Sequence, residues 1–148
     1  MEKLRLMAPA EWGLDLLDAV PNHIALLDAQ GVIVAVNAAW RRFALENGII
    51  GTRAVAATGA GVNYPALCDA AQGISEEGAA EAAAGIRAVL GRQRTVFMLE
   101  YPCHSPDRQR WFLMTVLPLD QDAVAAMVIH TDITGRKLEE LRRRDNEL

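Results

Sequence analysis

The sequence predicts an α+β domain: a five-stranded antiparallel sheet with short helices over one face, an N-terminal cap helix and a C-terminal exit helix. Three observations lead there. Two apolar strand runs precede a helical middle and three follow it. The first two runs are joined by Asp28-Ala29-Gln30-Gly31, a tight-turn composition. The last run passes, with almost no slack, through Asp132-Ile133-Thr134-Gly135-Arg136-Lys137 into a charged helical pattern.

Residues 9–20 read as a short amphipathic helix with Trp12, Leu16, Leu17 and Val20 on one stripe, opened by Pro9 and closed by Pro21. It must cover something, either the sheet's outer face or its own counterpart in a second subunit. Residues 24–27 and 32–36 are strands. Both are apolar at successive positions, so they need cover on both faces. Asn37 caps a helix over 38–47 whose Trp40, Phe43 and Ala44 point inward, and Gly48 stops it. Residues 48–63 are rich in Gly and Ala with weak periodicity, which fits a pocket wall, a lid or close packing around a small core.

Residues 64–71 form a short helix with Pro65 near its start. Ser75 caps the next helix, 76–90, anchored by Ile86, Val89 and Leu90, with Glu76 and Glu77 at its positive end. The third strand, 95–103, puts Phe97, Leu99 and Tyr101 on one face and Val96 and Met98 on the other. Strands 110–119 and 124–133 complete the sheet. In the exit helix Leu138 and Leu141 share a face, and Glu139–Arg143 and Glu140–Arg144 have ion-pair spacing. The expected division is 1–21 cap helix, 22–134 core and 135–148 start of the exit helix.

With 148 residues the chain suits one domain, and its 51% apolar share supports a core without disulfides or metals. The net charge of -4 offers no basic field. Arg142-Arg143-Arg144 stands beside Glu139 and Glu140 as a solvated helix face, so no nucleic-acid partner is expected. No run of eighteen apolar residues occurs, and Glu2, Lys3 and Arg5 break any signal-peptide pattern. A cytoplasmic setting without direct membrane insertion is expected. Cys68 and Cys103 form no disulfide framework, and Cys103-His104 lacks the convergence a metal site needs.

Together these segments resemble the PAS domain family over residues 14 to 137. The likeness rests on Val20-Pro21-Asn22-His23-Ile24, the hairpin turn, Val36-Asn37-Ala38-Ala39-Trp40, Arg110-Trp111-Phe112 and the final Asp132-Ile133-Thr134-Gly135-Arg136-Lys137. The resemblance implies a sensory or dimerisation module of a signal-transduction protein, often ahead of a histidine kinase, diguanylate cyclase or phosphatase. A homodimer, with a linked or separate output domain, goes with it. It implies that Asp132, Thr134 and Arg136 couple the sheet to the exit helix. Short Asp and Thr side chains can also tie a strand end to a helix start, independent of any family. The alternative reading is a ligand-free dimerisation or protein-interaction module.

Flavin-binding relatives carry a reactive cysteine in a Gly-x-Asn-Cys-Arg pattern. Here Gly61-Val62-Asn63 is followed by Tyr64 and Pro65, so covalent flavin chemistry is not expected. Haem-binding relatives use a histidine from the middle helices, and His23, His104 and His130 all lie elsewhere. No cofactor is expected, and a small apolar ligand remains the alternative. Trp40, Phe43, Tyr64, Phe97, Leu99, Trp111 and Met127 would line its space, although the same pattern fits a filled core better. No nucleophile–base spacing suggests catalysis, so the domain is not expected to be an enzyme. Glu100, set among apolar neighbours, is expected to pair with an arginine or sit at an edge.

Overall fold

The computed structural model describes residues 15–46, 60–69, 78–103, 107–121 and 123–147. Its elements are β1 (His23–Leu27), β2 (Ile33–Val36), α1 (Ala38–Glu46), α2 (Tyr64–Asp69), α3 (Ala79–Leu90), β3 (Phe97–Pro102), β4 (Trp111–Gln121), β5 (Val124–Asp132) and α4 (Thr134–Glu147). The strands form one antiparallel sheet in the order β2-β1-β5-β4-β3. The first and last strands of the chain are thus neighbours at its centre, with His23 opposite His130 and Leu27 opposite Ala126.

The hairpin turn works as its composition predicts. Asp28 Oδ1 accepts from the amides of Gln30 and Val32, both at 2.9 Å, satisfying turn donors that no ladder reaches. Gly31 adopts φ +88, and a Cβ there would stand 2.9 Å from the Pro65 ring. Glycine is therefore required twice, by backbone conformation and by the approach of α2.

Period-2 alternation sorts the sheet. Leu27, Met114, Val116, Ala126 and Val128 face the helices and are buried against Ile86 and Val89 of α3. Burying the leucine, methionine and valine side chains contributes about 1.5–3 kcal/mol each, and Ala126 less. α3 can lie close because Gly85 has no side chain: a Cβ there would run into the Phe97 ring. The cap of α3 departs from expectation. Ser75 lies outside the described residues, and the N-cap position is Gly78, at φ 80 with no side-chain cap bond.

On the opposite face, cross-strand neighbours Leu26, Met127 and Leu117 form one apolar row. Ile24, Ile129, Thr115 and Met98 form the next. On this face Ile24 is 4% exposed, its neighbours Leu26, Leu117, Met127 and Ile129 are half-buried, and Met98 at the edge is 60% exposed. Of the expected N-terminal helix, residues 15–19 are helical and residues 9–14 lie outside the described residues. Asn37 joins this segment to the rest. Its Oδ1 accepts from the amides of Ile24 and Trp40, both at 3.0 Å, and its Nδ2 donates to the carbonyls of Leu17 and Asn22, both at 2.8 Å. The residue expected as a simple N-cap is a buried junction of three segments.

Candidate functional site

His130 projects from the core face of β5 and is 7% exposed. Both ring nitrogens are engaged. The Tyr64 hydroxyl, from α2, lies 3.0 Å from Nε2, and the Tyr101 hydroxyl, from β3, lies 2.6 Å from Nδ1. The sheet order explains the meeting: β4 separates β3 from β5, and Tyr101, Phe112 and His130 share the core face. Trp40 of α1 closes over the group, its ring 5.3 Å from that of His130 and 5.7 Å edge-on from Tyr64.

Burial, with the charge of His23 as a lesser cause, drops the His130 imidazole to about 3, so the ring is neutral at ordinary pH. Burial likewise raises both phenols, and neither ionises. It also pushes the nearby Cys68 thiol up to about 11, with Asp69 adding to the effect, and raises Cys103. The centre is an uncharged hydrogen-bonding chain within aromatic walls. The walls continue through Phe112, stacked 6.0 Å from Tyr101, to Phe43, 5.4 Å from Phe112, and the Arg110 guanidinium 5.2 Å above Phe43.

Of the residues expected around an interior space, Trp40, Phe43 and Tyr64 belong to this cluster, and Phe97 and Leu99 pack with the core beneath α3. Trp111 and Met127 do not. Each flanks inward residues, Phe112 for Trp111 and Ala126 and Val128 for Met127, so strand alternation sends them to the other face. Tyr101 and His130 were absent from that expectation. The inward side of β5 shows only in the structure, as the burial of Ala126, Val128 and His130. Neither nitrogen of His130 is open to a haem iron. Tyr64, at the position of the flavin-reactive cysteine, is bound to His130.

The second part of the site is the exit turn. Asp132 Oδ1 accepts from the Thr134 amide at 2.9 Å, Thr134 Oγ1 accepts from the Trp111 amide at 3.1 Å, and the Ile133 amide donates to the Trp111 carbonyl at 2.9 Å. Both main-chain groups of Trp111 thus hold the turn that starts α4. Arg136 and Lys137, in the first turn of α4, reach Glu100 on β3 at 2.9 and 3.3 Å. Hydrogen bonding to Arg136 is the main cause that keeps the Glu100 carboxyl below the usual carboxylate range. Glu140 turns back to Arg136 at 2.6 Å, in place of the expected pairing with Arg144. Among the described residues no three His, Cys, Asp or Glu side chains gather to hold a metal, and no helix is long and apolar enough to cross a membrane.

Comparison with known proteins places this geometry in a family. A match to the PAS fold covers residues 17–138. A 104.1 kDa protein of Rhodobacter capsulatus, encoded in the hypE 3' region, is 44% identical over 119 residues. That alignment takes 80% of this chain but 12% of the relative, so the chain spans about an eighth of that protein's length. The PAS domain of Bordetella pertussis BvgS superposes with a TM-score of 0.55 at 18% identity, over 94% of this chain and 98% of that one. Vibrio cholerae VqmA, solved as a ligand–DNA complex, superposes with a TM-score of 0.55 at 16% identity, over 87% of this chain and 52% of VqmA. VqmA overturns the expectation of no nucleic-acid partner. The charge of one domain does not bound what a longer protein built around the same fold can touch. This chain belongs to the PAS fold family of sensory signalling domains.

Proposed function

We propose that this chain is the input module of a longer signalling protein. The state of the Tyr64–His130–Tyr101 centre passes through Asp132-Ile133-Thr134 to α4, and from there to an output domain such as a histidine kinase. The observation that carries the reading is the double attachment of the exit turn to Trp111, the neighbour of Phe112 on the wall of the centre. β5 adds a second route, since His130 stands two residues before Asp132. A shift of either strand must move the start of α4 or break these bonds. A reducing, cytosolic compartment fits the module, because Cys68 and Cys103 are free thiols.

Asp132→Ala tests the relay. It removes the acceptor for the Thr134 amide without touching the sheet ladder. Hydrogen exchange should quicken in the first turn of α4 and stay unchanged in β1 and β5. Equal exchange throughout, or loss of protection across the sheet, would remove the proposal. A second reading, a ligand-free interaction module, draws on the exposure of Met98, Leu138 and Leu141.

A further inference from the structure

We infer that the interior centre takes a neutral small molecule through a carbonyl oxygen, which accepts hydrogen bonds from the Trp40 indole N–H and the Tyr64 hydroxyl. This deepens the sensory reading and rests on it for its physiological meaning; its physical basis is a count of protons. Indole nitrogen is a donor only. Trp40 is 7% exposed, and its Nε1 is buried with no hydrogen-bond partner among the described residues. Buried donors are almost always satisfied in native proteins, and an orphan marks a missing acceptor.

The second surplus proton follows from His130. A neutral imidazole has one N–H and one bare nitrogen, so it can accept from one tyrosine and must donate to the other. The Tyr101 contact, 2.6 Å to Nδ1, has the short length of a hydroxyl donor. The Tyr64 contact, 3.0 Å to Nε2, has the usual length of an N–H donor. From these lengths we assign the tautomer in which Tyr101 donates to Nδ1 and the Nε2–H donates to Tyr64. The proton on the Tyr64 hydroxyl is then left with no acceptor among the described residues. Its ring and that of Trp40 are in edge contact, so the two surplus donors belong to one cluster.

Two donors without an acceptor select the ligand chemistry. A cation would face both protons. A purely apolar molecule would leave both buried and unmatched. A carbonyl oxygen has two lone pairs and can satisfy both at once, and the aromatic walls suit the rest of a small uncharged molecule.

The test uses this full chain and matched probes: cyclopentanone, its apolar isostere methylenecyclopentane, and cyclopentanecarboxylate. The Trp40 indole N–H resonance, assigned with Trp40→Phe, reports binding. Cyclopentanone should move that resonance saturably and bind about tenfold or more tightly than methylenecyclopentane, as expected for hydrogen bonds that would otherwise go unmade. Tyr64→Phe should cut the preference several-fold. Equal binding of ketone and alkene, tighter binding of the carboxylate, or a resonance that no probe moves because a bound water holds it, would each overturn the inference. Ketone selectivity with no change in α4 exchange would leave the inference standing and count against the relay. An intact relay without ketone selectivity would do the reverse.

Discussion

Glu100 and Arg136 meet at 2.9 Å, a strand residue gripping the first turn of the exit helix. Its chain neighbour Tyr101 points the other way, into the His130 centre. One pair of adjacent residues on β3 therefore has one side chain in the interior and one on α4. Strand geometry makes the two move together, since successive side chains leave opposite faces of one rigid backbone. This route was not among the residues first expected to couple sheet and helix; Arg136 was, without its partner on the strand.

Glu100→Gln should loosen α4 while leaving the sheet's stability unchanged. Both ion-pair partners are solvent-accessible, so the contact orients the helix more than it stabilises the fold. Faster amide exchange in the first turn of α4 is expected, with Arg136→Gln acting in the same direction. The double variant should give less than the sum of the two but more than either alone, because each residue also keeps a partner of its own, Lys137 for Glu100 and Glu140 for Arg136. The contact should also respond to acid. Because the Glu100 carboxyl is held low, the grip is intact above the ordinary carboxylate range and is lost as pH falls through the depressed value. Exchange in α4 that ignores both substitution and acid would dismiss Glu100 as a coupling residue.

Gly85→Ala sets two effects of opposite sign against each other. In a helix interior alanine is favoured over glycine by about 1 kcal/mol. Here the added Cβ would run into three atoms of the buried Phe97 ring, which Arg94 also covers at 5.3 Å. Overpacking of that kind costs about 1–3 kcal/mol, so a net destabilisation of up to about 2 kcal/mol is expected from the urea midpoint. Gly85→Ala combined with Phe97→Leu should recover part of it by giving the methyl room. A single substitution that stabilises the protein would show that α3 can shift away from β3 freely.

The sheet was legible in the sequence because its signals are local. Asp28 and Gly31 mark the turn, and alternating Phe97, Leu99 and Tyr101 mark the faces of β3. Asn37 was legible as a helix cap, but its bonds to Leu17 and Asn22 were not, since a side chain's second set of partners has no periodicity. The meeting of Tyr64, Tyr101 and His130 was hidden for a similar reason. It depends on which strands are neighbours and on where α2 lies above them, and neither is encoded by spacing along the chain. Trp111 and Met127 were expected to line the interior with the other five residues, but β4 and β5 are apolar at nearly every position, and only their burial pattern shows that these two lie on the other face.

His130 should leave its mark on stability as a function of pH. Its imidazole stands at about 3 in the folded protein and near 6.5 in the unfolded chain. Between those values the unfolded chain binds the extra proton, so stability is fullest above the upper one and falls as the solution is acidified. A single histidine shifted this far removes about 2 kcal/mol between about pH 7 and about pH 5. The carboxylates Glu100 and Asp69, both held low by arginine partners, act at lower pH and do not intrude on this window. His130→Gln keeps a polar group that can face the tyrosines and removes the titration. Urea unfolding of the two proteins across the window should therefore show a steeper loss for the natural chain. Parallel curves would mean that His130 takes up its proton as readily in the folded protein as in water, and that the centre is open to solvent.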